Sequence, residues 1–164
     1  MRSDFRPVAI GFAGFAAFLN LYAPQAVLPM LGAEFGAGPA EIGMAMTATT
    51  LAIALGAPFV GALADIIGRK RVIVTAMLAI VIPTAAIALA PNLEMILAAR
   101  FIQGLVLPPI FAVTVTYIGE EWPPLDATTM TGLYMSASSV GGFFGRFAPG
   151  IIADWVGWRE AFLF

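Results

Sequence analysis

Gly61-Ala62-Leu63-Ala64-Asp65-Ile66-Ile67-Gly68-Arg69-Lys70-Arg71 decides the reading of this chain. An uncharged apolar run ends there in one carboxylate, a glycine and three adjacent cations. A membrane-spanning helix that emerges on the basic, cytosolic side ends in this way. The outline returns at Gly150-Ile151-Ile152-Ala153-Asp154-Trp155-Val156-Gly157-Trp158-Arg159, with a glycine, an alanine–aspartate pair and a second glycine at the same internal spacing. Two copies of one helix end point to a duplicated bundle, the usual plan of transporters.

Composition agrees. The 164 residues are 60% hydrophobic and 11% charged, with a mean hydropathy of +0.93. A soluble domain carries about a quarter charged residues and could not hide this much apolar surface in one core. The net charge of −2 leaves no basic stripe for nucleic acid. Without cysteine or histidine, disulfides, thiolate chemistry and the commonest metal ligands and general bases are absent. No nucleophile–base pair or metal constellation is visible, so the reading is a non-enzyme that needs no cofactor and no metal.

A spanning helix needs about 20 mostly apolar residues. Five such runs are present: Val8–Met30, Ile42–Ala64, Val72–Ala90, Leu93–Ile118 and Ala127–Ile152. Trp158 to Phe164 begins what reads as a sixth. Lipid offers no hydrogen-bond partners, so each run is expected to be helical. The first run is too long for a signal peptide, and no clean cleavage pattern follows it. Arg2 and Arg6 precede the first run, and Arg69, Lys70 and Arg71 separate the second from the third. The loops after the first and third runs contain no Lys or Arg. This asymmetry predicts an amino terminus in the cytosol of a cell whose inner (plasma) membrane the chain crosses several times. Glu120, Glu121 and Asp126 read as an acidic loop, which carries little weight in the rule.

The two copies of the opening outline lie three spans apart, so the second must emerge on the opposite face. That is the signature of an inverted repeat, three helices followed by three more.

These residues resemble the major facilitator superfamily. Gly61 to Ile73 matches its loop motif at every fixed position except the basic residue after the aspartate, which is Ile66 here. Ile96 to Gly104 is similar to the fourth-helix motif, with Arg100, Gln103 and Gly104 in place and Val106, Leu107 and Pro108 replacing small residues. Gly141 to Gly150 is similar to the fifth-helix motif of the proton-linked drug and metabolite antiporters. Arg146 stands where a proline is expected, and Pro149 comes late. The resemblance implies an all-α, polytopic helix bundle: one domain over residues 1–164, the amino-terminal half of a major facilitator fold, ending before or within its sixth helix. It also implies a secondary active transporter of small organic molecules, by efflux or exchange.

The resemblance assigns gating to Asp65 and Arg69, supported by Gly61, Gly68, Lys70 and Arg71. The residues alone allow the plainer reading that Arg69, Lys70 and Arg71 anchor the chain on anionic lipid. Arg100 and Arg146 are the charges well inside runs, and such a cation costs at least about 2.5–3.5 kcal/mol at the bilayer centre. Each should face a cavity or a partner, or snorkel to the headgroups. By resemblance Arg100, with Gln103, serves substrate binding or coupling. Two arginines without an intramembrane carboxylate point either to an anionic substrate or to partners on helices outside these five. Asn20, Tyr22 and Gln25 cluster in the first run and could line a cavity or bond a neighbouring helix. Gly104, Gly141, Gly145, Pro149 and Gly150 read as helix-packing positions, and Ala137, Gly141, Gly145 and Pro149 form one small-residue face. By resemblance that face meets the opposite half. Trp122, Trp155 and Trp158 read as interface anchors. One half-bundle cannot close a cavity on both sides, so transport requires a missing carboxy-terminal half or a second copy. The alternative is a non-transporting membrane fragment or assembly partner.

Overall fold

The computed structural model describes residues 5–163, and the regular elements in that range are all helical. Arg2, used above for orientation, and Phe164 lie outside the described residues. Helix α1 spans Arg6–Phe35, α2 Pro39–Ile67, α3 Arg69–Ala88, α4 Leu93–Glu121 and α5 Pro124–Val156, and a last turn, α6, covers Trp158–Ala161.

Local chemistry sets the helix starts. Proline opens the first turn of α1, α2 and α5, where its missing N–H has no helical partner to lose. The Glu41 carboxylate accepts from the Gly38 N–H at 2.9 Å to seal the start of α2, and Asn92 accepts from the Met95 N–H at 2.9 Å at the start of α4. Prolines inside helices remove ladder bonds locally. Pro83 follows an irregular joint at Ile80 in α3. Pro108 and Pro109 together open α4 into a wider turn over Pro109–Val113. The Tyr134 hydroxyl donates to the Ile110 carbonyl there at 3.1 Å, the kind of repair that makes intramembrane proline tolerable.

Four helices, α1 to α4, are long and apolar enough to cross a membrane. The fifth expected span is a continuous helix of 33 residues but falls short on apolarity, because Ser136, Ser138, Ser139, Arg146 and its glycines dilute it. The expected sixth span is present only as α6 among the described residues. Glu120 and Glu121, read above as a loop, form the last turn of α4.

Two parallel pairs organise the bundle. Along α1 and α5, a Cβ placed on Gly11 would meet Ala137, one on Gly141 would meet Phe15, one on Gly145 Leu19 and one on Gly150 Ala26. The register rises together in both helices. Likewise α2 and α4 run together, with Gly104 against Thr49 and Ala52 and Gly56 against Leu105 and Pro108. Small residues at these crossings bring backbones close, which is how helices associate where lipid offers no hydrophobic drive. The outside is apolar: Phe12, Phe59, Ile66, Leu78, Ile82, Leu89 and Trp155 are all exposed. A water-soluble surface would not carry so many.

Candidate functional site

Arg100 is completely buried. It sits two turns into α4, and its fork is spent on neutral oxygens. Nε donates to the Ala45 carbonyl at 3.3 Å and Nη2 to the Leu21 carbonyl at 3.1 Å, while Nη1 donates to Gln103 Oε1. The Gln103 amide donates in turn to Asn20 Oδ1 and, at 3.0 Å, to Thr84 Oγ1. Asn20 Nδ2 donates to the same Thr84 hydroxyl at 2.8 Å. Thr49 Oγ1 donates to the Arg100 carbonyl at 3.1 Å. One guanidinium and one amide thus join α1, α2, α3 and α4. Among the described residues no carboxylate pairs with Arg100. It faces a partner set rather than a cavity.

Arg146 behaves differently. Its side chain is exposed. Nε donates to Gln25 Oε1 at 3.0 Å, Nη1 to the Gly142 carbonyl at 3.2 Å, and the guanidinium carbon stands 3.5 Å from the centroid of the Tyr22 ring. Reaching Gly142 means pointing back along α5, away from the nearer helix end at Val156. Snorkelling to that end is therefore not what the side chain does. Asn20, Tyr22 and Gln25 divide between the two arginines: Asn20 serves the buried network, and the other two hold Arg146.

The repeated outlines build similar corners at opposite ends of the bundle. Gly68 ends α2 at φ 99° and Gly157 ends α5 at φ 104°, conformations that only glycine adopts cheaply. Each donates its N–H to the alanine carbonyl four residues back, at 2.9 Å and 3.0 Å. After Gly68, Arg69 binds Asp65 at 3.1 Å and Glu120 in the last turn of α4 at 2.5 Å. After Gly157, Trp158 Nε1 donates to Glu34 Oε2 at 2.5 Å and Arg159 reaches Glu34 Oε1 at 2.6 Å, in the last turn of α1. Arg159 also donates to the Ala90 carbonyl at 3.1 Å. At the first end Arg6 pairs with Glu121 at 2.5 Å and lies over Trp122. The acids sit at helix C-termini and the arginines at helix N-termini, where dipoles disfavour both. Cross-pairing offsets that cost at each corner.

Gly61, Lys70 and Arg71 are exposed at the Arg69 corner, and a Cβ on Gly61 would meet nothing within 4 Å. The Gly141–Gly145–Pro149–Gly150 face is turned onto α1, and Pro149 is buried. Trp158, read as an interface anchor, is buried against Phe35 and Phe162, whereas Trp155 is exposed. Sequence reasoning missed Glu34, Glu120, Thr49 and Thr84. The one available signal was an acid just beyond each of two apolar runs, Glu34 after the first and the Glu120-Glu121 pair after the fourth.

Comparison with known proteins follows the same lines. The sequence profile described as Major Facilitator Superfamily matches residues 10–164. The chain is 40% identical to the inner membrane transport protein YnfM of Escherichia coli over 94% of its own length and 37% of the relative's. It is 37% identical to the uncharacterized transporter BU588 of Buchnera aphidicola, over 92% of the chain and 37% of that protein. The niacin transporter NiaP of Acinetobacter baylyi is 36% identical over 84% of the chain and 31% of its own length. The chain thus spans little more than a third of these relatives.

Proposed function

Because this chain belongs to the major facilitator superfamily, we propose that it works as most of one half of a secondary active transporter. It moves small organic molecules by alternating access, as a piece of a longer or assembled protein. Membership makes it a multi-pass membrane protein among transporters; the mechanism is our reading. The observation that carries it is the pair of matched corners. Repeat-related helix ends, after α2 and after α5, grip the last turns of α4 and α1 at opposite ends of the bundle. An inverted repeat relates α1 to α4 and α2 to α5, and the pairing of α1 with α5 and of α2 with α4 is what such a two-fold produces. Two corners that close opposite ends supply what alternating access needs, a lock for each face.

In this reading Asp65, Arg69 and Glu120 form the lock on the cytosolic face, with the amino terminus on the same side in the inner membrane. Gly61, Gly68, Lys70 and Arg71 shape that corner. The buried Arg100–Gln103 network couples helix positions, and Arg146 with Tyr22 and Gln25 faces the solute. A carboxy-terminal half supplied by the longer protein, or a second copy, completes the cavity. A relative named as a niacin transporter supports a small organic solute. Efflux or exchange is the direction favoured by the antiporter-like fifth helix.

Proteoliposome flux tests the proposal. The longer protein that carries this chain should lose most transport when Arg69→Gln opens the first corner. Unchanged flux with both Arg69→Gln and Arg159→Gln would reject the locks. A reporter at the Asp65–Arg71 turn that proves periplasmic would reject the orientation.

A further inference from the structure

We propose that the Arg146–Tyr22–Gln25 corner binds the carboxylate of a small aromatic monoacid, the ring resting on Phe143 and its neighbours. This rests on the transport reading only for its use, not for the binding itself.

The guanidinium is held but not spent. Tyr22 fixes its plane, Gln25 takes the Nε proton and the Gly142 carbonyl takes one from Nη1. An arginine has five N–H groups, so the Nη2 nitrogen and one Nη1 proton remain for a ligand. That terminal edge matches a carboxylate held by two parallel bonds. Among the described residues no acid occupies it.

Depth excludes a lipid headgroup as the ordinary partner. Arg146 lies ten residues before the end of α5, about 15 Å at 1.5 Å per residue. Tyr22 lies near the middle of α1, well away from either end. A cation at this depth must face protein or a water-filled path. Ser139, two turns earlier on the same face of α5, is also exposed, a second polar group open on this side of the helix.

Charge and shape then narrow the ligand. Arg100 is completely buried with its donors directed at oxygens of the bundle, so a single cation is offered and a monoanion suffices. One turn before Arg146, Phe143 is 60% exposed and stacks on Phe147 with rings 5.7 Å apart and 20° from parallel. Phe144 packs beside Phe143 at 5.6 Å and reaches Phe15. An open stacked pair accepts a further ring face to face, offset. A flat acid with the charge at one edge satisfies both elements at once.

The test uses the purified full-length protein in detergent, with benzoate as probe and benzamide as its uncharged counterpart, followed calorimetrically. Benzoate should bind more tightly than benzamide. Arg146→Gln should weaken benzoate by about 10- to 100-fold, the effect of one charge-assisted pair, and leave benzamide unchanged, which also reports an intact fold. Arg146→Lys should recover part of the loss, and Phe143→Leu should weaken both probes. Equal affinity for the two probes, or benzoate binding indifferent to Arg146→Gln, overturns the proposal. So does wild-type protein that ignores benzoate, as it would if an acid from another segment already filled the fork. Protein that binds benzoate through Arg146 but moves no solute supports this site and rejects transport. Protein that moves solute without Arg146-dependent binding of benzoate overturns this site and leaves transport standing.

Discussion

Arg100 and Arg146 converge on one turn of α1. The first donates to the Leu21 carbonyl at 3.1 Å, and the second stands 3.5 Å from the ring centroid of the adjacent Tyr22. Their surroundings differ in kind. Arg100 is buried and donates to oxygens of three helices, with the Met46 sulfur 3.8 Å from Nη2, whereas Arg146 is exposed and donates to one side-chain oxygen and one carbonyl. A buried arginine held by three helices serves structure, and an exposed one with donors open can meet a ligand.

That division has a stability consequence. Arg100→Met strands Gln103 and removes a charge-assisted bond at each of two carbonyls, so unfolding in mixed micelles should become easier by about 2–3 kcal/mol. Arg146→Met touches two side chains, Gln25 and Tyr22, and one carbonyl on an exposed face and should cost under about 1 kcal/mol. Denaturation midpoints of the two variants decide it. If Arg146→Met proves the more damaging, the roles are reversed.

The buried network should also show coupling. Gln103 donates to both Asn20 and Thr84, and Asn20 donates to Thr84 as well. Asn20→Ala and Gln103→Ala therefore share partners, and their combined effect should fall short of the sum by about 0.6–1.7 kcal/mol, the range for interhelical bonds in membranes. A double-mutant cycle measures this directly. Strict additivity would mean that the amide–amide contact contributes nothing.

Legibility followed the range of the interactions. Asp65, Gly68 and Arg69 are neighbours in the chain, so the first corner was readable from an i, i+4 spacing and a glycine. Arg100 stood out because a cation inside an apolar run is costly, yet its partners were invisible. They are backbone carbonyls of Leu21 and Ala45, which no residue type announces. Glu120 looked like a loop acid until helix α4 extended past its apolar run, and Glu34, just beyond the first run, drew no notice until α1 extended to include it. Trp158 was misread because an indole suits a headgroup layer and a packed helix end with a carboxylate acceptor equally well. The small face of α5 was plain in the sequence, but the helix it meets was not. Only the register of Gly141 on Phe15 and Gly145 on Leu19 identifies α1.

The glycines separate packing from gating. A Cβ on Gly145 would lie 2.5 Å from the Leu19 carbonyl oxygen and 3.0 Å from its Cα, both backbone atoms that cannot swing aside. Gly145→Val should push α1 from α5 and destabilise the bundle by about 1–3 kcal/mol or more. Gly61→Val meets open space and should leave stability within about 0.5 kcal/mol. Thermal midpoints in detergent check both. Loss of transport in Gly61→Val at unchanged stability would locate a moving contact at this corner, and a Gly145→Val protein as stable as wild type would contradict the close approach.

The two corners should open independently. Each sets an acid at a helix C-terminus against an arginine at a helix N-terminus, one pairing Arg69 with Glu120 and the other Arg159 with Glu34. Removing one cation leaves its acid facing an unfavourable dipole, and partly exposed pairs of this kind contribute up to about 1 kcal/mol. Amide hydrogen exchange at the affected helix end should therefore speed up about two- to fivefold. Arg69→Gln should quicken exchange over residues 115–121 of α4 and leave residues 30–35 of α1 at the wild-type rate. Arg159→Gln should do the reverse, and by somewhat more, because Trp158 shares Glu34 and depends on the same geometry. Mass spectrometry of peptides from the two helix ends distinguishes them. Exchange that rose at both ends in either variant would mean that the corners open together, and a single rigid closure would replace the paired locks.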